Sequence, residues 1–144
     1  MKRVLVFGAF DVIHPGHLSF LKQARKHGDY LVASIARDSF IIEHKGRRPI
    51  HTEEVRRQYV LATGLVDEAS LGDEVPGTYS QILEIKPDVI CLGYDQNEFK
   101  SDISGWLAER FPQAEIVTLA PFEPDRYKSS KLNAEAYRSM QEKE

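Results

Sequence analysis

One cysteine stands in the whole chain, so no internal disulfide can form. Cys91 lies inside the apolar run Val89-Ile90-Cys91-Leu92, where a reduced thiol is expected, and that usage fits the cytoplasm. A stretch of about 18 consecutive apolar residues is missing, which excludes a membrane-spanning helix. The opening Met1-Lys2-Arg3-Val4-Leu5-Val6-Phe7 is cut short by Gly8, with Asp11 soon after, so it reads as the start of the fold rather than as a signal peptide. Neither sign of charge dominates. The 19 Lys+Arg face 22 Asp+Glu, a formal −3 with histidines neutral, which disfavours general nucleic-acid binding but leaves room for a local basic cluster that holds a small polyanion. Internal repeats, low-complexity tracts and long linkers are also absent, so residues 1–144 are expected to form a single domain. At roughly 0.1 kcal/mol per residue, a chain of this length is held by its core without a metal or disulfide staple.

What the chain does have is an alternation of apolar runs and amphipathic segments. Residues 3–7 read as a strand ending at Gly8. Pro15 opens a helix with Leu18, Leu21 and Ala24 at helical spacing, closing near Lys26-His27-Gly28. The apolar run 30–36 follows as a second strand and completes a βαβ unit. Residues 37–49 are polar and read as an exposed loop. Thr52 is an N-cap candidate, with Glu53 and Glu54 in the first turn of a helix whose inner face is expected to carry Val55, Tyr59 and Ala62. Residues 68–71 are expected as a strand, 79–85 as a short helix and 89–92 as a strand stopping at Gly93. Ile103, Leu107 and Phe111 mark a further helix, 116–119 a fifth strand, and Leu132, Ala136 and Met140 a C-terminal helix starting at Ser129 or Ser130. Strands that are apolar throughout are covered on both faces, which is what parallel pairing through crossover helices brings about. The predicted class is α/β, a doubly wound open sheet of five parallel strands.

In such sheets ligands bind beyond the carboxyl ends of the strands. After the first strand comes Gly8-Ala9-Phe10-Asp11-Val12-Ile13-His14-Pro15-Gly16-His17. Glycine lets a ligand approach the backbone there, and Pro15 suits a first helical turn. The free N–H groups of that helix favour phosphate, and His14 and His17, three residues apart on one face, add donors at the same point. As a metal site the pair supplies only two ligands, with Asp11 at best a third, and as a structural pair it would cap the turn. Phosphate binding is the preferred expectation, with no metal held by the protein alone. No Ser-His-Asp order or activated cysteine is present, so alignment and positive charge are expected rather than a covalent nucleophile. Two cationic clusters supply that charge: Lys45, Arg47 and Arg48 after the second strand, and Arg126 and Lys128 beside Ser129 and Ser130 at a helix start. Asp95, just past Gly93, offers acceptor oxygens for a base amino group or a sugar hydroxyl. Trp106 is read as packing, and His27, His44 and His51 as surface or turn residues.

Gly8-Ala9-Phe10-Asp11 followed by His14-Pro15-Gly16-His17 resembles the signature of the nucleotidyltransferase superfamily with the HxGH motif, which includes cytidylyltransferases, pantetheine-phosphate adenylyltransferase and archaeal-type FAD synthases. Later positions match too: Gly93-Tyr94-Asp95-Gln96 after the fourth strand, and Arg126-Tyr127-Lys128-Ser129-Ser130-Lys131-Leu132 at the last helix, so the similarity covers nearly the whole chain. Leu92-Gly93-Tyr94-Asp95-Gln96 looks more like the FAD synthase version than the cytidylyltransferase one. The resemblance implies a Rossmann-like fold of the HUP type and transfer of a nucleotidyl group to a phosphorylated acceptor. ATP and FMN would give FAD and pyrophosphate, with Mg²⁺ or another divalent cation arriving with the triphosphate. The enzymatic alternative is CTP with glycerol 3-phosphate or a related polar-head phosphate, and the non-enzymatic one is a nucleotide-binding regulatory protein. A flavodoxin-like electron carrier fits poorly, because the histidine pair stands where a hydroxyl-rich phosphate loop belongs.

The resemblance assigns His14, His17, Lys45 and Arg126 to catalysis. Around the nucleotide it sets Ala9, Phe10, His14, Pro15, Gly16, His17, Gly93, Asp95, Gln96, Arg126, Tyr127, Ser129 and Ser130. Toward the acceptor it sets Asp11, Lys45 and Arg56. Ala9 stands where many relatives carry threonine, a change that touches a hydroxyl contact and leaves the backbone N–H. Small-molecule substrates are the partners implied, with neither nucleic acid nor membrane, and the family's habit of dimerising makes a homodimer compatible with this reading.

Overall fold

The computed structural model describes residues 1–121. Along them run β1 (Arg3–Gly8), α1 (Pro15–Arg25), β2 (Tyr30–Ile35), α2 (Asp38–Lys45), α3 (Glu53–Ala62), β3 (Glu68–Leu71), α4 (Ser80–Ile85), β4 (Val89–Leu92), α5 (Asn97–Arg110) and β5 (Glu115–Thr118). All five strands pair in parallel in the order β3-β2-β1-β4-β5. The chain builds outward from β1 to β3, then crosses back to lay β4 on the other side of β1. The connections leaving β1 and β4 therefore run in opposite directions, and a crevice opens between their carboxyl ends.

Alternation along the strands divides the core. Val4, Val6, Leu31, Ala33, Val89 and Cys91 face one side, under Leu21 and Ala24 of α1 and Val60 of α3. Leu5, Val32, Ile90 and Leu92 face the other, under Ile82 of α4 and Ile103 and Leu107 of α5. Burial on both faces is why these strands read as continuous apolar runs. Trp106 packs beside Tyr79 at 4.8 Å between ring centroids, under the guanidinium of Arg110.

Two expectations need correction. Residues 37–49 are not a continuous loop, because α2 occupies Asp38–Lys45. Its apolar residues Phe40, Ile41 and Ile42 are adjacent rather than spaced around a helix, only Ile41 is buried, and its first N–H, at Asp38, is capped from a distance by the Glu53 carboxylate at 2.8 Å rather than by its own N-cap residue Arg37, so neither periodicity nor a local cap gives a helical signal. The stop signal is present in the sequence: Lys45 is followed by Gly46, which takes the left-handed conformation at φ 70°.

The second correction concerns α3. Thr52 does cap it, accepting from the Val55 N–H at 3.4 Å. Its inward face carries Arg56 and Val60 rather than Val55, Tyr59 and Ala62, and Tyr59 is exposed. A one-residue rotation brings a charged side chain inside. Arg56 is fully buried, and its guanidinium donates to the Ala9 carbonyl at 2.7 Å, the His51 carbonyl at 3.0 Å and Asp38 at 2.7 Å. A buried guanidinium is tolerated because its donors are matched, and matching them joins three separate stretches of chain. The C-terminal helix expected from Ser129 or Ser130 lies outside the described residues.

Arg56→Ala strands two carbonyls and Asp38 at once. It is expected to lower folding stability by roughly 2–4 kcal/mol, seen as a lower urea midpoint. A midpoint equal to wild type would show that the three contacts are not what joins these segments.

Candidate active site

At the end of β1 the chain must turn sharply. A Cβ on Gly8 would come within 2.7 Å of the Phe10 ring, so glycine is required there. Phe10 is buried and holds φ at 51°, a left-handed conformation that aromatic residues rarely adopt. This turn delivers the chain to the N-terminus of α1.

His14 is the N-cap of that helix, its Nδ1 accepting from the Gly16 N–H at 3.0 Å. An accepting Nδ1 carries no proton, so the neutral imidazole holds its hydrogen on Nε2. His17, one turn into α1, stacks on His14 with centroids 3.8 Å apart and 27° between planes, and lies 5.3 Å from the Phe10 ring. Burial pushes the His17 pKa from its ordinary 6.5 down to about 3, with further lowering from His14 and an opposing contribution from a Val12 backbone hydrogen bond. Burial lowers His14 as well. Near neutral pH the helix thus presents two stacked, uncharged imidazoles beside its own positive end.

These histidines border a cavity of about 790 Å³ that spans the carboxyl edge of the sheet. Ala9, Phe10, Gly16, Gly93, Asp95 and Gln96 also line it, so the expected nucleotide residues within the described chain, apart from Pro15, share one hollow. Pro15 occupies the first position of α1 and is exposed. Asp95 is exposed at the end of β4. Gln96 has structural partners of its own: its Oε1 accepts from the Gly93 N–H at 2.7 Å and its Nε2 donates to the Phe7 carbonyl at 3.1 Å, closing β4 onto β1.

The residues expected to face the acceptor separate into two kinds. Lys45, the exposed last residue of α2, borders the cavity and also a small adjoining hollow shared with Ala9, Asp11, Arg47 and Arg48. Asp11 and Arg56 point into the protein. The Asp11 carboxylate accepts the backbone N–H groups of Ile50 at 2.8 Å and His51 at 2.9 Å. Arg56 is fully buried, and its guanidinium is engaged in its three contacts within the protein. Arg57 likewise pairs with Glu54 at 2.6 Å.

Other cavity residues escaped sequence reading. Phe40 and His44 stack on one face of α2, at 4.0 Å and 21°. Ser34 bonds the Gln81 side chain, which in turn donates to Ser70 at 2.7 Å. Nothing local marks these polar residues, since topology alone brings β2, β3 and α4 together. Among the described residues no cluster of three His, Cys, Asp or Glu is placed to hold a metal ion. With the Asp11 oxygens bonded to amides, a divalent cation fits as a companion of substrate phosphates rather than as a resident of the protein. Burial, aided by Glu115, pushes the Cys91 thiol up to about 12, which leaves it protonated and unreactive. No helix among the described residues is long and apolar enough to cross a membrane. Arg126, Tyr127, Ser129 and Ser130 lie outside the described residues.

A parallel sheet with this strand order, and a histidine-bearing helix start at its switch point, defines a class. Residues 5–135 match the cytidylyltransferase-like family, and the chain belongs to that family of nucleotidyltransferases. Within it, the chain is 48% identical over 119 residues to the FAD synthase of Ferroglobus placidus, covering 83% of this chain and 76% of that one. It is 40% identical to the FAD synthase of Methanocella arvoryzae, covering 91% of each. Among solved structures, a lipopolysaccharide core biosynthesis protein from Thermoplasma volcanium superposes with a TM-score of 0.77 at 35% identity, covering 85% of this chain and 99% of that one.

The lowered pKa of His17 makes a thermodynamic prediction with a definite sign. Its unfolded pKa of 6.5 exceeds the folded value of about 3, so the unfolded state binds the proton more readily. Stability is intact above the unfolded value and falls with acid below it. The melting temperature of wild type should drop more steeply between about pH 7 and pH 5 than that of His17→Gln. Parallel curves would rule out a buried neutral His17.

Proposed function

We propose that this protein adenylylates FMN with ATP, forming FAD and releasing pyrophosphate. The observation that carries the reading is the pairing of two facts: relatives matching most of the chain are FAD synthases, and the His14-Pro15-Gly16-His17 helix start opens onto a cavity of about 790 Å³ at the carboxyl edge of the sheet. In the transfer, an oxygen of the FMN phosphate attacks the α-phosphorus of ATP. The bond from that phosphorus to the bridging oxygen breaks, and pyrophosphate leaves with its electron pair.

The protein's part is alignment and charge stabilisation. His14 donates from Nε2 to the phosphates, and His17 stands beside it on the same turn. Backbone amides at Ala9, Phe10 and the start of α1 supply further donors, and Lys45 brings a positive charge from α2 to the meeting point of the two substrates. Asp95 offers oxygens to the base or ribose. Arg126, Tyr127, Ser129 and Ser130 are assigned to the outer phosphates on the sequence resemblance. Asp11 and Arg56 act by holding the loops that carry the others. Mg²⁺ or another divalent cation arrives with the triphosphate. The reading makes the protein a cytoplasmic enzyme that works on small molecules.

Incubation with ATP or CTP and with FMN or glycerol 3-phosphate, followed by pyrophosphate and FAD measurement, tests the reaction. Pyrophosphate release is expected with ATP and FMN together, and turnover with CTP but none with ATP would overturn the assignment. His17→Ala should lower kcat by about 100-fold or more while circular dichroism stays unchanged. Undiminished turnover in that variant would remove His17 from the chemistry.

A further inference from the structure

We infer that α2 forms the ring-binding wall of the acceptor site, with the face of Phe40 as platform for the planar tricyclic ring of the acceptor. The inference rests on the ATP and FMN reading above and says which part of the cavity takes the flavin ring.

Four residues of α2 line the cavity: Phe40, Ile41, His44 and Lys45, spaced so that they form one face of the helix. Ile41 turns into the core and is 5% exposed, whereas Phe40 keeps 39% of its surface open. A half-exposed aromatic ring on a cavity wall offers contact area to a planar ligand. Its ring is held in a defined pose: His44 stacks on it at 4.0 Å and 21°, and the His44 Nδ1 lies 3.0 Å from the Phe40 carbonyl oxygen. An aromatic pair of this kind accepts a third ring by offset stacking.

The placement also suits an acceptor with a phosphate at its far end. Lys45 sits at the C-terminal end of α2 beside Ala9 and Asp11, next to the loop that leads to His14. Phe40 lies five residues earlier, which at the helical rise separates the two by roughly 7.5 Å along the axis. A short polyol chain linking ring to phosphate spans such a distance. The base of the triphosphate has a different place, because Gly93 and Asp95 end β4, across β1 from β2 and the helix that follows it. The two heterocycles thus go to opposite sides of β1, with the acceptor ring on the side of α2 and Phe40 and the base on the side that Tyr94 and Phe99 line.

The test compares wild type with Phe40→Ala, Phe40→Leu and Phe40→Trp. Steady-state kinetics give KM for FMN and for ATP, and quenching of FMN fluorescence without ATP reports binding apart from turnover. Phe40→Ala and Phe40→Leu should weaken FMN binding and raise its KM about five- to tenfold, with KM for ATP within about twofold of wild type. Phe40→Trp should retain wild-type values. Because Leu keeps the apolar bulk and loses only the π face, a loss shared by Ala and Leu separates stacking from folding. An unchanged FMN KM in both, or equal rises for FMN and ATP, overturns the platform while leaving the reaction standing. A wild-type protein that forms no FAD from ATP and FMN overturns the reaction and the platform with it.

Discussion

One guanidinium, sealed from water, sets the geometry on which the candidate site depends. Arg56 joins the Ala9 carbonyl in the loop after β1, the His51 carbonyl before α3 and the carboxylate of Asp38 at the start of α2. A charge in this position is stable only while its donors are matched, so the three segments are held together by the cost of separating them. The planar fork of arginine fixes directions as well as distances, which a lysine ammonium would not do. Asp11 adds a second fastening between two of the same segments, through the Ile50 and His51 amides. The histidine-bearing helix and the lysine-bearing helix are thus placed relative to each other by polar contacts beneath the site, and the side chains facing the cavity stay available for ligands.

That arrangement bears on the charge the histidines carry. Two imidazoles stacked at 3.8 Å, largely shielded from water, oppose each other's protonation. In the ligand-free molecule they are oriented N–H donors without net charge, so no buried positive charge has to be sustained while the site waits. Permanent positive charge is supplied at the rim instead, by Lys45 and its exposed neighbour Arg48, where water offsets its cost before the substrate arrives.

Residue pattern made the sheet legible and left much of the polar scaffold hidden. Strands 89–92 and 68–71 fall where sequence reading sets them, and β1, β2 and β5 shift by a residue at their ends, because burial on both faces leaves a continuous apolar run. The pair at His14 and His17 is equally local, since helical spacing alone puts both on one face. α2 was not legible: three adjacent apolar residues carry no helical period, and only Lys45-Gly46 announces its end. The inner face of α3 was misread because a hydrophobic pattern cannot register a buried arginine whose partners come from Ala9 and Asp38, 47 and 18 residues away. Asp11 and Arg56 were expected on the acceptor side. Their direction, inward to backbone groups rather than outward to a ligand, depends on contacts that no single stretch of sequence contains.

The same reasoning explains Gln96, which sits where a nucleotide contact was expected. A sheet ends in backbone groups without ladder partners, and at a crevice between diverging strands these would be left to water or to the ligand. The Gln96 amide takes both, accepting from Gly93 and donating to Phe7, and so completes β1 and β4 at the point where they part. Gln81 does similar work between β2 and β3 through Ser34 and Ser70. Both amides satisfy the cavity floor before any substrate enters. A ligand then displaces water from a preformed surface instead of breaking protein hydrogen bonds, and less of its binding energy goes to ordering the site. Asp95, next to Gln96 and exposed, is one of the carboxylates at this end of the cavity, with Glu98 and Asp102 of α5.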